Sequence, residues 1–167
     1  MSFADIIQSI EDSSIGTLMR EGATAFPWLE STHVLAIVIV LGTIAIVDLR
    51  LVGYPSHRRG ARQLITEMLP FTWVAFVFAL ITGLCLFTAH ATQYTFESRP
   101  FQFKMLVLAL AGLNMAFFHL TAYRRIIDWD DRLPTPGAVK LAGLTSLTLW
   151  MIVVFLGRWI GFSAPFA

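Results

Sequence analysis

The sequence is poor in charge and in cysteine, and both shortages narrow the class of protein. Only 14% of the 167 residues are charged and 56% are hydrophobic, whereas about 25% are charged in an average soluble domain. The formal net charge of +1 lacks the basic excess of a nucleic-acid-binding surface. The single cysteine, Cys85, excludes a disulfide framework and a cysteine-rich zinc site. These exclusions leave a small integral membrane protein with a single domain, residues 1–167.

Long apolar runs are the main feature that the sequence does have. Four runs are near the ~20 residues that a helix needs to cross the hydrocarbon core of a bilayer. They are continuously apolar, which favours helices over the alternating strands of a barrel. We therefore predict an all-α fold: a four-span transmembrane helix bundle with helices at about 26–51, 66–91, 101–124 and 138–162.

Residues 2–22 precede the first span and contain apolar residues at helical spacing. Ser2 is a suitable N-cap, and Asp5 lies in the first turn that would follow it. We predict an N-terminal amphipathic helix, bent or broken at Gly16, that lies on the membrane interface. A segment that docks on a partner protein is the alternative.

The basic residues predict the orientation in the membrane. Eight of the 12 lysines and arginines flank the two loops after the first and third spans: Arg50, Arg58, Arg59, Arg62, Arg124, Arg125, Arg132 and Lys140. The positive-inside rule places those loops in the cytoplasm. We therefore expect a bacterial inner-membrane protein with both termini on the periplasmic side.

Ionisable residues inside spans are costly in lipid, so they usually face the bundle interior or water. The predicted outer half of the bundle contains five such residues, contributed by all four spans: Glu30, His33, His90, Lys104 and Arg158. Glu30 and His33 share a helix face, and the Glu30 carboxylate has Lys104, Arg158 and the imidazole as possible partners. An interhelical ion-pair cluster and a ligand site are both open interpretations.

The predicted inner half contains Asp48, Arg50 and His119. We interpret Asp48 as paired with a cytoplasmic arginine at the interface. One face of the third span carries Lys104, Met115 and His119, together with Ala111. A buried histidine on such a face is either a hydrogen-bonded packing residue or a ligand.

Histidines on facing helices make haem b a predicted cofactor, and His33 and His119 the predicted metal ligands. The two lie roughly 10 Å on opposite sides of the membrane midplane, so they cannot bind the same iron. His90 is the only other histidine on the side of His33. Copper is less favoured because the sequence has no Met-x-x-Met or His-x-His pattern. No Ser–His–Asp set, phosphate loop or paired-carboxylate site is present, so no catalytic residue is predicted.

Several segments resemble a bacterial family of small four-helix membrane proteins that is catalogued only as a domain of unknown function. They are 26–35 (FPWLESTHVL), 42–53 (GTIAIVDLRLVG), 69–73 (LPFTW), 103–119 and 157–162 (GRWIGF). More distantly, the surroundings of His33 and His119 resemble those in the copper-resistance D membrane proteins. They also resemble those in the four-helix, haem-containing protoporphyrinogen oxidase. These resemblances imply the fold and make haem b or copper at the two histidines an expectation.

Three functions follow as hypotheses. The first is haem b or metal binding for electron transfer or metal handling, with Glu30, Lys104, Arg158 and the histidines around the cofactor. The second is a non-catalytic accessory subunit of a larger membrane complex, and the third is a small proton-coupled transporter. The expected partners are the lipid bilayer and either other membrane subunits or a second copy of the chain. A second copy would associate through the small-residue pair Gly157 and Gly161, which alternatively packs inside the bundle.

Overall fold

The computed structural model describes residues 1–54, 60–130 and 135–163. The helices are α1 (Phe3–Glu11), α2 (Ser14–Glu21), α3 (Ala25–Val52), α4 (Ala61–Thr88), α5 (Ala91–Phe96), α6 (Arg99–Leu120), α7 (Ile126–Trp129) and α8 (Gly137–Ser163). A short 3-10 helix, Tyr123–Arg125, leads into α7. Of the described residues, 88% are helical and none lies in a strand. The predicted all-α class is therefore confirmed.

Four helical stretches are long and apolar enough to cross a membrane: Ala25–Val52, Ala61–Thr88, Arg99–Trp129 and Gly137–Ser163. Large apolar side chains such as Val38 and Phe78 are exposed on the outer surface of these helices. In a membrane that surface contacts lipid, because lipid tails are as apolar as leucine. The chain is a multi-pass membrane protein with the predicted number of spans.

The second and third spans differ from their predicted bounds. Helix α4 begins at Ala61 rather than near residue 66, and it ends at Thr88 rather than near residue 91. The next helix starts separately because the backbone of His90, at φ −144° and ψ 49°, is not helical. Helix α6 ends at Leu120 rather than near residue 124, because Thr121 leaves the helical conformation at ψ −80°.

The spans pack in a defined order. Helix α3 packs against both α4 and α8, and α8 also packs against α6. We call the end of the bundle where α3 begins and α4 ends the α5 end, after the short helix there. The opposite end, where α3 ends and α4 begins, is the α7 end. Since α3 and α8 each pack against two other spans, residues on these two helices are placed to connect the bundle.

The α7 end holds the main buried apolar cluster of the described chain. Its members come from α3, α4, α6, α7 and α8: Leu51, Ala61, Ile65, Phe118, Ile126, Trp129 and Val139. The indole of Trp129 donates a hydrogen bond to the carbonyl of Ala122 at 3.0 Å. The connection after α6 is thereby fixed against the spans.

Asp130, directly after α7, caps the beginning of α4. Its carboxylate accepts hydrogen bonds from the backbone N–H groups of Ala61 and Arg62, the latter at 3.1 Å. It also lies 3.5 Å from Nη2 of Arg50 on α3. The N-cap position of α4 is Gly60, where a built Cβ would lie only 2.7 Å from the Asp130 carboxylate. One carboxylate therefore joins α3, α4 and α7.

The N-terminal segment forms two helices that dock on the α5 end. Ser2 caps α1 and Asp5 lies in its first turn, as predicted, and the two side chains form a capping box. The chain breaks at Asp12 and Ser13 rather than at Gly16, because the Ser13 hydroxyl starts α2 by accepting from the Gly16 N–H. The segment lies against α5 and the end of α4, since α1 packs on α5 and α2 on α4.

Charged side chains hold this segment in place. Arg20 donates to the carbonyls of Glu11 at 2.7 Å and Ala89 at 3.3 Å. The Glu11 carboxylate accepts from the N–H of Thr92 at 2.7 Å, which satisfies one of the first amides of α5. Arg20 thus binds the end of α4, and Glu11 binds the beginning of α5, both of which follow much later in the sequence.

Only part of the small-residue pattern is used inside the bundle. A Cβ built at Gly157 would lie 3.4 Å from Nζ of Lys104, so α8 approaches α6 there. A Cβ at Gly161 would have no neighbour within 4 Å. Self-association through Gly157 and Gly161 stays a prediction.

Candidate functional site

His33 forms an interhelical hydrogen bond at the α5 end. Its Nδ1 lies 2.9 Å from Oγ1 of Thr82 on α4. The Thr82 hydroxyl donates its own hydrogen to the Phe78 carbonyl at 2.7 Å, so it accepts from Nδ1–H. The Ala79 carbonyl also lies within hydrogen-bond distance of that hydroxyl oxygen, at 3.3 Å. In the neutral ring, Nε2 then carries the lone pair.

Small residues allow His33 and Lys104 to approach the bundle interior. A Cβ built at Gly83 on α4 would lie 2.9 Å from Cε1 of His33, closer than real contacts allow. Lys104, half-buried against Gly157, interacts electrostatically with His33. The structure therefore brings together these two members of the predicted outer set.

Tyr94, on α5, is the centre of an aromatic stack at the α5 end of the bundle. Its ring stacks on Phe101 with centroids 5.2 Å apart, and Phe87 stacks on both rings. His90 meets the Tyr94 ring edge-on at 6.3 Å. Burial raises the pKa of the Tyr94 phenol, and the negative charge of Glu30 raises the same pKa further. Tyr94 is consequently a protonated hydrogen-bond donor at neutral pH.

The ion pairs considered for the outer set are not formed in the described part of the chain. There, the one salt bridge is that of Arg50 with Asp130. Glu30 is exposed, and its negative charge interacts electrostatically with Tyr94. Arg158 is also exposed, and its guanidinium lies 4.6 Å from the ring centroid of Phe162. Of the five predicted residues, His33 and Lys104 thus lie near each other, Glu30 and His90 lie near Tyr94, and Arg158 lies against Phe162.

A second polar site surrounds a cavity of about 150 Å³ between α3, α4, α6 and α8. It occupies the half of the bundle nearer the α7 end. Most of the lining is apolar, with Trp73, Phe76, Phe118 and Trp150 among it. The polar residues of the lining are Asp48, Thr72, Asn114, His119 and Ser146. Of the predicted face of the third span, Ala111, Met115 and His119 line this cavity.

Asp48 faces the cavity instead of the interface, which corrects the interpretation that it pairs with an arginine. Its side chain is almost fully buried, with 6% of the residue exposed. Ser146 lines the same cavity, and Oδ2 of Asp48 has no hydrogen-bond partner among the described residues. Arg50 contacts Asp130. The two residues differ because positions two apart on a helix point about 200° away from each other.

Asn114 and His119 on α6 each use one polar atom within the bundle. The Asn114 amide nitrogen donates to the Ala142 carbonyl on α8 at 3.1 Å. Nδ1 of His119 lies 2.9 Å from the Met115 carbonyl, which can only accept, so this nitrogen carries the proton. Both side chains line the cavity. The side-chain oxygen of Asn114 and Nε2 of His119 take no part in these two hydrogen bonds.

The arrangement does not bring the metal-ligand candidates together. His119 lines the cavity, whereas His33 is hydrogen-bonded to Thr82 at the α5 end. Within the described ranges, no group of three or more His, Cys, Asp or Glu side chains is placed to hold a metal ion. Haem b and copper stay predictions.

Sequence reasoning missed Thr82 and Ser146, and it noted Asp48 without its role. The signal for Asp48 was available, because an ionisable residue within a span is a functional-site hypothesis by default. Thr82 and Ser146 carry no comparable signal. Small hydroxyl residues are common in spans, where they also bond to the carbonyl one turn earlier, as Thr82 does.

The fold and the two polar sites define a multi-pass, four-helix membrane protein with polar groups inside its bundle. The chain belongs to the family of unknown function DUF6644, whose model matches residues 10–163. This confirms the resemblance to a four-helix family without an assigned role. No curated protein and no solved structure matches the chain.

Proposed function

We propose that the chain binds a small, largely apolar molecule inside its helix bundle, in the cavity beside Asp48. The observation that carries this proposal is Oδ2 of Asp48, a buried carboxylate oxygen with no hydrogen-bond partner among the described residues. Polar groups buried without a partner are costly, and the cost is greater at membrane depth. A ligand that supplies the missing partner would remove that cost.

The size and lining of the cavity support the proposal. An apolar protein cavity of about 150 Å³ holds a molecule the size of benzene. The aromatic side chains Trp73, Phe76 and Trp150 offer flat apolar surfaces to such a ring. Binding sites of this kind combine an apolar wall with a few polar groups that orient the ligand.

Filling the cavity tests the proposal. We expect a panel of one-ring probes (toluene, benzyl alcohol, benzylamine and benzoate) to contain at least one that raises the thermal midpoint of the detergent-solubilised protein saturably. A ligand at 100 times its Kd should raise the midpoint by about 5–10 °C. Ala111→Phe places a ring in the cavity and should abolish this response.

The matched control is Ala116→Phe, on the exposed face of the same helix. It adds the same ring without filling the cavity, so its response should equal that of the native chain. Equal responses of all three proteins would mean that the probes act through the detergent. The accessory-subunit hypothesis would then be the better account.

Haem b at His33 is the second candidate, and the hydrogen bond to Thr82 favours it. A second-shell partner on one ring nitrogen fixes the tautomer and leaves the other nitrogen for a metal. His33 therefore suits one axial position, and Lys104 supplies a neighbouring positive charge for a haem carboxylate. Bound haem would supply one-electron transfer.

An optical spectrum of protein purified in mild detergent, oxidised and then reduced with dithionite, tests this second candidate. If haem b is bound, we expect a Soret band and sharp reduced α and β bands at one iron per chain. His33→Ala should remove them, while His119→Ala, at the other site, should keep them. A spectrum without these bands in protein supplied with haem would rule the candidate out.

We also propose that the protein resides in the bacterial inner membrane with both termini on the periplasmic side. The support is the concentration of basic residues near the α7 end, where the described part of the chain places Arg50, Arg62, Arg124, Arg125 and Lys140. Arg58, Arg59 and Arg132, which the prediction also used, lie outside the described residues. In this orientation the cavity is in the cytoplasmic half of the bilayer.

A further inference from the structure

The polar atoms that remain at the cavity identify the chemistry of its ligand. Asp48 is almost fully buried, and its Oδ2 has no hydrogen-bond partner among the described residues. Ser146 lines the same cavity. The Asp48 carboxylate therefore presents lone pairs, as acceptors, to a ligand.

Asn114 also presents an acceptor. Its amide group has a nitrogen that donates and an oxygen that accepts. The nitrogen is held by the Ala142 carbonyl at 3.1 Å, because an amide oxygen in that place would face another oxygen. The side-chain oxygen is the atom left for the cavity that Asn114 lines.

His119 adds a third acceptor. Its Nδ1–H donates to the Met115 carbonyl at 2.9 Å, one turn earlier on α6. The second nitrogen of the neutral ring, Nε2, then carries a lone pair. The ring lies at the side of the cavity, in contact with Phe118 and Tyr123 at centroid distances of 5.5 and 5.2 Å.

No lysine or arginine is among the described residues that line the cavity. Arg50 is the basic residue nearest to Asp48 in the sequence, and its guanidinium contacts Asp130 at the α7 end. The lining itself therefore supplies no positive charge to the Asp48 carboxylate.

We infer that the ligand is a small primary ammonium ion with an apolar, ring-sized body. The inference rests on the proposed binding function and names its ligand class. An ammonium group brings three N–H donors and a positive charge, which match the acceptors of Asp48, Asn114 and His119. The aromatic wall formed by Trp73 and Trp150 suits both the apolar body and the cation.

The test compares isosteric probes on the intact chain in detergent. Benzylamine is protonated at neutral pH, benzyl alcohol is neutral with one donor, toluene has no polar group, and benzoate carries the opposite charge. We expect benzylamine to bind about 10-fold or more tighter than benzyl alcohol, because hydrogen bonds to charged groups are the stronger ones. Benzoate should not bind.

Asp48→Asn keeps the size of the side chain and removes its charge. This variant should lose the preference for benzylamine, whereas Asp128→Asn, which changes an exposed carboxylate, should keep it. The ratio of benzylamine to benzyl alcohol affinity in the native chain tests the inference even if Asp48→Asn does not fold. Isothermal titration provides both affinities.

Each outcome separates the two levels of the proposal. If toluene or benzyl alcohol binds as tightly as benzylamine, and Ala111→Phe abolishes that binding, the ammonium inference is overturned while the binding function stands. Stabilisation by sodium chloride, but not by choline chloride or benzylamine, would overturn it in favour of a metal cation. If no probe binds in a way that Ala111→Phe affects, both fail.

Discussion

The Asp130→Ala variant should have a free energy of unfolding about 3–5 kcal/mol below that of the native chain, as expected when one partner of a buried ion pair is removed. The carboxylate accepts from two backbone N–H groups at the start of α4 and contacts Arg50 on α3. Its loss leaves those amides without their cap. It also removes this carboxylate from Arg50, a residue that is only 4% exposed. Thermal and denaturant unfolding in one detergent would measure the effect.

Asp128→Ala is the matched control, since it removes an exposed carboxylate two residues away. We expect it to change the free energy of unfolding by less than about 0.5 kcal/mol. Asp130→Asn, which keeps one acceptor oxygen for the amides, should fall between the two variants. If Asp130→Ala and Asp128→Ala were equally stable, the contacts of Asp130 would have no net value.

The second large effect is expected for Gly143→Val on α8. A Cβ built at this buried glycine would lie 3.0 Å from both the Asp48 carbonyl oxygen and the Leu51 Cβ on α3. One of these neighbours is a backbone atom and the other is attached directly to the backbone, so the helices themselves must move apart. We expect a loss of about 1–3 kcal/mol, the usual range for overpacking.

Gly112→Val provides the comparison, because a Cβ at Gly112 has no neighbour within 4 Å. The Gly112→Val variant should be as stable as the native chain or slightly more stable. Glycine is a poorer helix former than valine by about 0.4 kcal/mol. Unfolding monitored by circular dichroism would measure both variants. Equal stability of the two would contradict the close approach of α3 and α8.

The number and approximate place of the spans could be predicted because lipid demands continuous apolar stretches. Which side of each span faces the bundle interior could not be predicted, for the same reason. In a soluble helix the polar side identifies the surface, whereas in a bilayer the lipid-facing side is as apolar as the interior. Asp48 and Arg50 were accordingly assigned to one interface, although they point to a cavity and to Asp130.

The partners of the polar residues were equally hidden from the sequence. Thr82 lies 49 residues after His33, and no spacing rule links positions on different spans. The acceptor character of the cavity depends on which atoms of Asn114 and His119 are already bonded. Such information exists only once helix rotation and depth are known.

The long-range helix caps also impose an order on biogenesis. The amide of Thr92 follows its acceptor, Glu11, by 81 residues, and Asp130 follows Ala61 by 69 residues. The ribosome therefore completes the first two spans, α3 and α4, before it has synthesised Thr92 or Asp130. The N-terminal helices dock only after the second span has been inserted, and these two spans are locked only after the third. Nascent chains stopped before residue 130 should consequently be open to proteases and quality control at the start of α4.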